Sequence, residues 1–127
     1  MDIVYVIDPD EAVHDALATL LGATGTRVVC YPSAEAFLES SYENSAMRGC
    51  LLVEANLAGI GSLALMRRLR AQRVDLPVVV LASTANRDIA DQALKAGAVE
   101  VIQKPLVGGR LLKRLHQLAQ RTDNGGD

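Results

Sequence analysis

Apolar positions along the chain follow two alternating rhythms. Short runs, β-branched and nearly continuous, alternate with stretches in which apolar residues recur every three or four positions. The runs at 3–7, 27–31, 50–53, 78–81 and 99–102 predict five strands, the fourth opened by Pro77 and apolar throughout. Between the first two, Ala12, Val13, Ala16, Leu17, Leu20 and Leu21 keep helical spacing behind Asp10, a side chain suited to an N-cap, and Gly22 and Gly25 end that helix. Ser33, with Ala36 and Phe37 after it, opens a second helix. Ser62 is read as the cap of a third, with Leu65, Met66 and Leu69 on one side and Arg67, Arg68, Arg70 and Arg73 elsewhere. Asn86 or Asp88 starts a fourth, which Gly97 terminates, and Leu111, Leu112, Leu115 and Leu118 supply the inner face of a fifth.

Strands that are apolar on both sides must be covered on both faces, and their regular alternation with helices predicts an α/β domain built on a doubly wound, five-stranded parallel sheet. In such sheets ligands and chemistry gather at the C-terminal ends of the strands, near the point where the winding reverses. Asp8, Glu54, Ala82, Ser83 and Lys104 all fall at strand ends of that kind. Glu54 stands out among them, because it places a carboxylate at the end of the buried run "LLV".

With 127 residues, half of them hydrophobic and 22% charged, the chain fits one domain over 1–121, followed by a polar, glycine-rich linker or disordered tail at 122–127. A net charge of −2 with interspersed signs marks neither nucleic acid nor a membrane surface as a direct partner. Cys30 and Cys50 each lie inside an apolar run without metal-ligand spacing, which reads as reduced, buried thiols. No apolar run is long enough to span a bilayer, and Asp2 stands where a signal peptide would carry bases, so the expected location is the cytoplasm. Gly108 and Gly109 lack the strand context of a phosphate loop and read as a loosened start to the last helix. His14 and His116 read as solvated helix positions. The basic stripe of the third helix reads as a complement to that helix's dipole.

Three stretches carry a resemblance. "VIDPDEAVHDAL" at 6–17, "YPSAEAFL" at 31–38 and "ALKAGAVEVIQKPL" at 93–106 resemble the receiver domain of bacterial response regulators, with most likeness to the FixJ/NarL-type branch. The resemblance implies a flavodoxin-like fold and a phosphorylation site. That site comprises two adjacent acids after strand one, an aspartate after strand three, a Thr or Ser after strand four, and the lysine of a Lys-Pro pair. A carboxylate attacking a phosphoryl group needs a divalent metal held by acids, and a lysine to stabilise the transferring group.

Asp8 matches the first acid, and Lys104 with Pro105 matches the Lys-Pro pair, for which the resemblance implies a cis peptide bond. Elsewhere the pattern is broken. Pro9 replaces the second metal-binding acid, so no Mg²⁺ or other cofactor is expected, and Asp10 is better placed to cap the helix than to reach the pocket. Glu54 stands at the phosphoacceptor position, where its extra methylene moves the carboxylate by about 1.5 Å, a displacement that in-line attack tolerates poorly. Ala82 removes the switch hydroxyl, which Ser83 or Thr84 would supply only by a shift of register. Val101 occupies the strand-five position of the aromatic switch residue.

The resemblance with these departures implies a degenerate receiver, not an enzyme. It would act as a protein-interaction or dimerisation module of a signalling or transcription regulator, with Glu54 as a fixed negative charge paired with Lys104. DNA would be reached only through an output domain outside this chain. A stand-alone partner-binding protein and a receiver phosphorylated at a low level are the alternatives. The expected contact face, for a protein partner or a second copy, is helix four with strand five, where Arg87, Asp91 and Lys95 recur at four-residue spacing near Val101.

Overall fold

The computed structural model describes residues 3–40, 49–83, 87–104, 111, 113–115, 117 and 118, with Arg87 described by its backbone alone. Within these, the order is β1 (Ile3–Ile7), α1 (Glu11–Gly22), β2 (Arg27–Tyr31), α2 (Ala34–Leu38), β3 (Cys50–Glu54), α3 (Ser62–Ala71), β4 (Val78–Ala82), α4 (Arg87–Lys95) and β5 (Glu100–Gln103). The described residues between 111 and 118 are helical as well, with Leu111, Leu115 and Leu118 buried. Thr84, Asn86, Pro105, Gly108, Gly109, His116 and the tail at 122–127 lie outside the described residues.

All strand pairs are parallel, in the order β2-β1-β3-β4-β5. This is the doubly wound α/β sheet expected from the alternation, with the strand order of a flavodoxin-like fold. The apolar runs are continuous because successive side chains serve two cores. Val4, Val6, Leu52, Val79 and Leu81 pack against Leu17 and Leu21 of α1 and against Leu111, Leu115 and Leu118. Tyr5, Ile7, Leu51, Val53 and Val80 face the other way, against Phe37 of α2, Leu65, Met66 and Leu69 of α3, and Ala93 of α4. Phe37 meets Tyr5 and Tyr31 edge-on, with ring centroids 6.0 and 5.3 Å apart, so the described aromatic rings gather under the β2–β1 side of the sheet.

Entry into β3 depends on one glycine. Gly49 has φ +117°, and a Cβ on it would lie 1.9 Å from the carbonyl oxygen of Ile3, so a side chain is excluded both by the turn and by the neighbouring strand. Gly97 (φ +115°) likewise ends the turn after α4, as predicted.

Three local readings are corrected. Ser62 does not cap α3; Gly61 holds the extended cap position, and Ser62, already helical, donates its hydroxyl to the Ala55 carbonyl at 3.2 Å. Strand β5 begins at Glu100, after an exposed Val99 whose N–H already bonds to the Val78 carbonyl. Cys50 is buried but Cys30 only partly so. Burial pushes the Cys50 thiol up to about 12, and burial together with the charge of Asp15 raises that of Cys30, so both stay protonated. The two lie on β2 and β3 with β1 between them and two residues out of register, about 12 Å apart by sheet geometry, beyond the reach of a disulfide.

Candidate functional site

Register brings the strand-end residues together. Ile7 pairs with Val53, so Asp8 and Glu54, one residue further on, end level with each other at the C-terminal edge, where the chain's winding reverses between β1 and β3. Ala82 pairs with Gln103, and the Lys104 N–H donates to the Ala82 carbonyl at 2.8 Å, which turns the lysine toward the same edge.

There Lys104 joins both acids. Its Nζ donates to Asp8 Oδ2 at 2.7 Å and to Glu54 Oε1 at 2.6 Å. Asp8 is 1% exposed and Glu54 5% exposed, so each carboxylate needs its remaining oxygen satisfied as well. The backbone N–H of Asp10 donates to Asp8 Oδ1 at 2.9 Å, and that of Asn56 to Glu54 Oε2 at 2.8 Å. Burial opposes the charge on Lys104, but the hydrogen bonds and charges of Asp8 and Glu54 outweigh it and raise the ammonium above its ordinary pKa. Two buried carboxylates around one ammonium leave a net negative charge at this edge.

Pro9 is exposed, and Asp10, also exposed, turns its carboxylate to the Ala12 N–H at 2.9 Å as the cap of α1. Ala82 is 4% exposed, with only a methyl group for a side chain, and Ser83 beside it is exposed. Val101 is half-buried in β5 and packs on the core beneath α4. Asp91 and Lys95 are exposed on α4, apart from the triad and without an ion pair to each other.

The resemblance implies a divalent metal, and the acids present do not fit one. Asp8 and Glu54 are both committed to Lys104, Asp10 is committed to its helix, and Pro9 has no ligating atom. Among the described residues no group of three or more His, Cys, Asp or Glu side chains gathers to hold a metal ion.

Two contributors were not read from the sequence. His14 is half-buried and not a solvated position: its Nε2–H donates to the carbonyl of Asp8 at 2.6 Å. Helical side chains lean toward the N-terminus, so a residue four beyond the Asp10 cap is placed to reach back over the first turn. Glu35 of α2 accepts from the Ile60 N–H at 3.1 Å through Oε2, tying the segment that follows Glu54 to α2 on the same face of the sheet. Its other oxygen is buried with no hydrogen-bond partner in the structure.

Comparison with known proteins agrees with this architecture. Residues 4–116 match the response regulator receiver domain family. The chain is 29% identical over 120 residues to the transcriptional regulatory protein FixJ of Bradyrhizobium diazoefficiens, covering 94% of this chain and 58% of that protein. It is 35% identical over 102 residues to FixJ of Azorhizobium caulinodans, covering 80% and 47%. The crystal structure of full-length FixJ from B. japonicum superposes with a TM-score of 0.88 at 27% identity, over 98% of this chain and 61% of that one. The chain thus spans about half the length of the curated relatives it matches. Receiver domains are non-catalytic signalling modules, and among the described residues no helix is long and apolar enough to cross a membrane. A parallel sheet in the order 2-1-3-4-5, a lysine drawn to acids at its switch point, and a family match over nearly the whole length lead to one assignment: the chain belongs to the response regulator receiver domain family.

Proposed function

We propose that this receiver domain works without phosphorylation, as a protein-interaction or dimerisation module of a bacterial signalling or transcription regulator. Glu54 supplies its fixed negative charge. The observation that carries this reading is the bridge from Lys104 Nζ to Glu54 Oε1 at 2.6 Å and to Asp8 Oδ2 at 2.7 Å. A longer acid stands in the acceptor position, with one oxygen on the lysine and the other on the Asn56 N–H. The charge resembles that of a phosphorylated aspartate in sign and place, though a phosphoryl group brings nearly two charges and three acceptor oxygens.

The contact face is α4 with β5. Leu94 and Val99, 49% and 38% exposed, lie at the end of α4 and just before β5, beside the charges of Asp91 and Lys95. Val101 gives this face no bulky ring to swing between two positions, so the surface is present without a signal. Any contact with DNA belongs to an output domain outside this chain. A stand-alone partner-binding protein is the second reading. The half-length coverage of the FixJ proteins favours the first.

Intact-mass spectrometry after incubation with acetyl phosphate and Mg²⁺ tests the reading. No phosphoryl adduct of substantial occupancy is expected on the wild type, and an adduct mapped to Glu54 would overturn the proposal. Glu54→Asp in the same assay separates acceptor chemistry from switching. With Ala82 and Val101 unchanged, this variant is expected to keep its oligomeric state whether or not it becomes labelled.

A further inference from the structure

A second concavity lies at the opposite end of the sheet. It opens between α3 and the turn that follows α4, at the N-terminal end of β4, roughly 13 Å of strand away from the Lys104 triad. Its volume is about 370 Å³, within the range of small-ligand sites. The floor is apolar, formed by the buried side chains of Leu69, Leu76 and Val78. The rim carries Arg70, Arg73 and Asp75.

Both arginines are set in place by unusual backbone. Arg73 has φ +59°, a left-handed conformation that glycine adopts at no steric cost and that arginine rarely takes. Gly97 has φ +115°, and a Cβ on it would come within 2.5 Å of Arg70 Nη2. The Arg70 guanidinium therefore lies against the Gly97 backbone, reaching from α3 across to the turn after α4. Neither guanidinium forms an ion pair among the described residues. With Asp75 on the same rim, the mouth carries one net positive charge over an apolar floor.

We propose that this cavity binds a small organic monocarboxylate, its carboxylate held by Arg70 and Arg73 and its compact apolar body resting on Leu69, Leu76 and Val78. The planar guanidinium donors match a carboxylate in two-pronged geometry. Asp75 selects against a second negative charge. The site stands on its own residues and is independent of how Glu54 acts.

Benzoate is a suitable probe, with benzyl alcohol as its neutral counterpart and inorganic phosphate as an anion without an apolar body, each titrated into the ¹⁵N-labelled chain. Benzoate is expected to give saturable amide shifts at Val74, Asp75 and Leu76 and at Ala96, Gly97 and Ala98, leaving Asp8 and Glu54 unmoved. Binding of benzyl alcohol should be at least about tenfold weaker, and Arg70→Gln should weaken benzoate by about the same factor, because each removes charge-assisted hydrogen bonds. Arg70 is exposed, so the variant is expected to fold, and Arg70→Lys should retain an intermediate affinity. Shifts that do not saturate, equal binding of benzyl alcohol or phosphate, or benzoate affinity unchanged in Arg70→Gln would each overturn the proposal.

Discussion

Lys104 answers two opposed demands. Its ammonium is drawn into a poorly solvated edge, its side chain 18% exposed, and it is kept charged there by Asp8 and Glu54, which would otherwise be buried anions without a counterion. Lys104→Met is expected to destabilise the domain by about 3 kcal/mol, as measured by urea unfolding at neutral pH, because it leaves two carboxylates unpaired. Titration carries a sign as well. The folded-state pKa of Lys104 is raised above its ordinary 10.5, so its contribution to stability is complete below that value and is lost as pH rises through the higher folded-state value. Unfolding midpoints of the wild type should therefore fall on the alkaline side more steeply than those of Lys104→Met. Parallel alkaline limbs would show that the triad does not contribute in this way.

Elements were legible where burial is two-sided. An uninterrupted apolar run such as "VVVLA" at β4 admits little else than a central parallel strand, and Asp10 and Ser33 cap α1 and α2 as their side chains predict. Asp10→Ala is expected to cost about 1 kcal/mol of stability in urea or thermal unfolding, since the Ala12 N–H loses its acceptor. Legibility failed where a side chain had two partners to choose from. Ser62 sits in a cap-like sequence, yet its hydroxyl is taken by the Ala55 carbonyl, a choice made by the path of the β3–α3 segment. At the site, the pairing of Glu54 with Lys104 was readable because both stand at strand ends of a parallel sheet. The roles of His14 and Glu35 were not, because each acts on a backbone group, Asp8 O and Ile60 N–H, whose position only the packed fold sets.

At the scale of the molecule, the proposed face of α4 and β5 predicts how copies associate. Reversing Arg87 and Lys95 to Glu is expected to weaken self-association by sedimentation, while reversing Arg67 and Arg68 on α3 leaves it unchanged. A monomer at high concentration in the unmutated protein would remove homodimerisation and leave a heterologous partner. The tool for following such an encounter is supplied by the placing of the aromatic residues. The chain has no tryptophan, and the described rings of Tyr5, Phe37 and Tyr31 are gathered under β2 and β1, at the edge of the sheet away from β5. To light absorbed by indole alone, the molecule is dark. A single tryptophan set into the surface of α4 would glow against no background, and any change in its colour would come from whatever had arrived there.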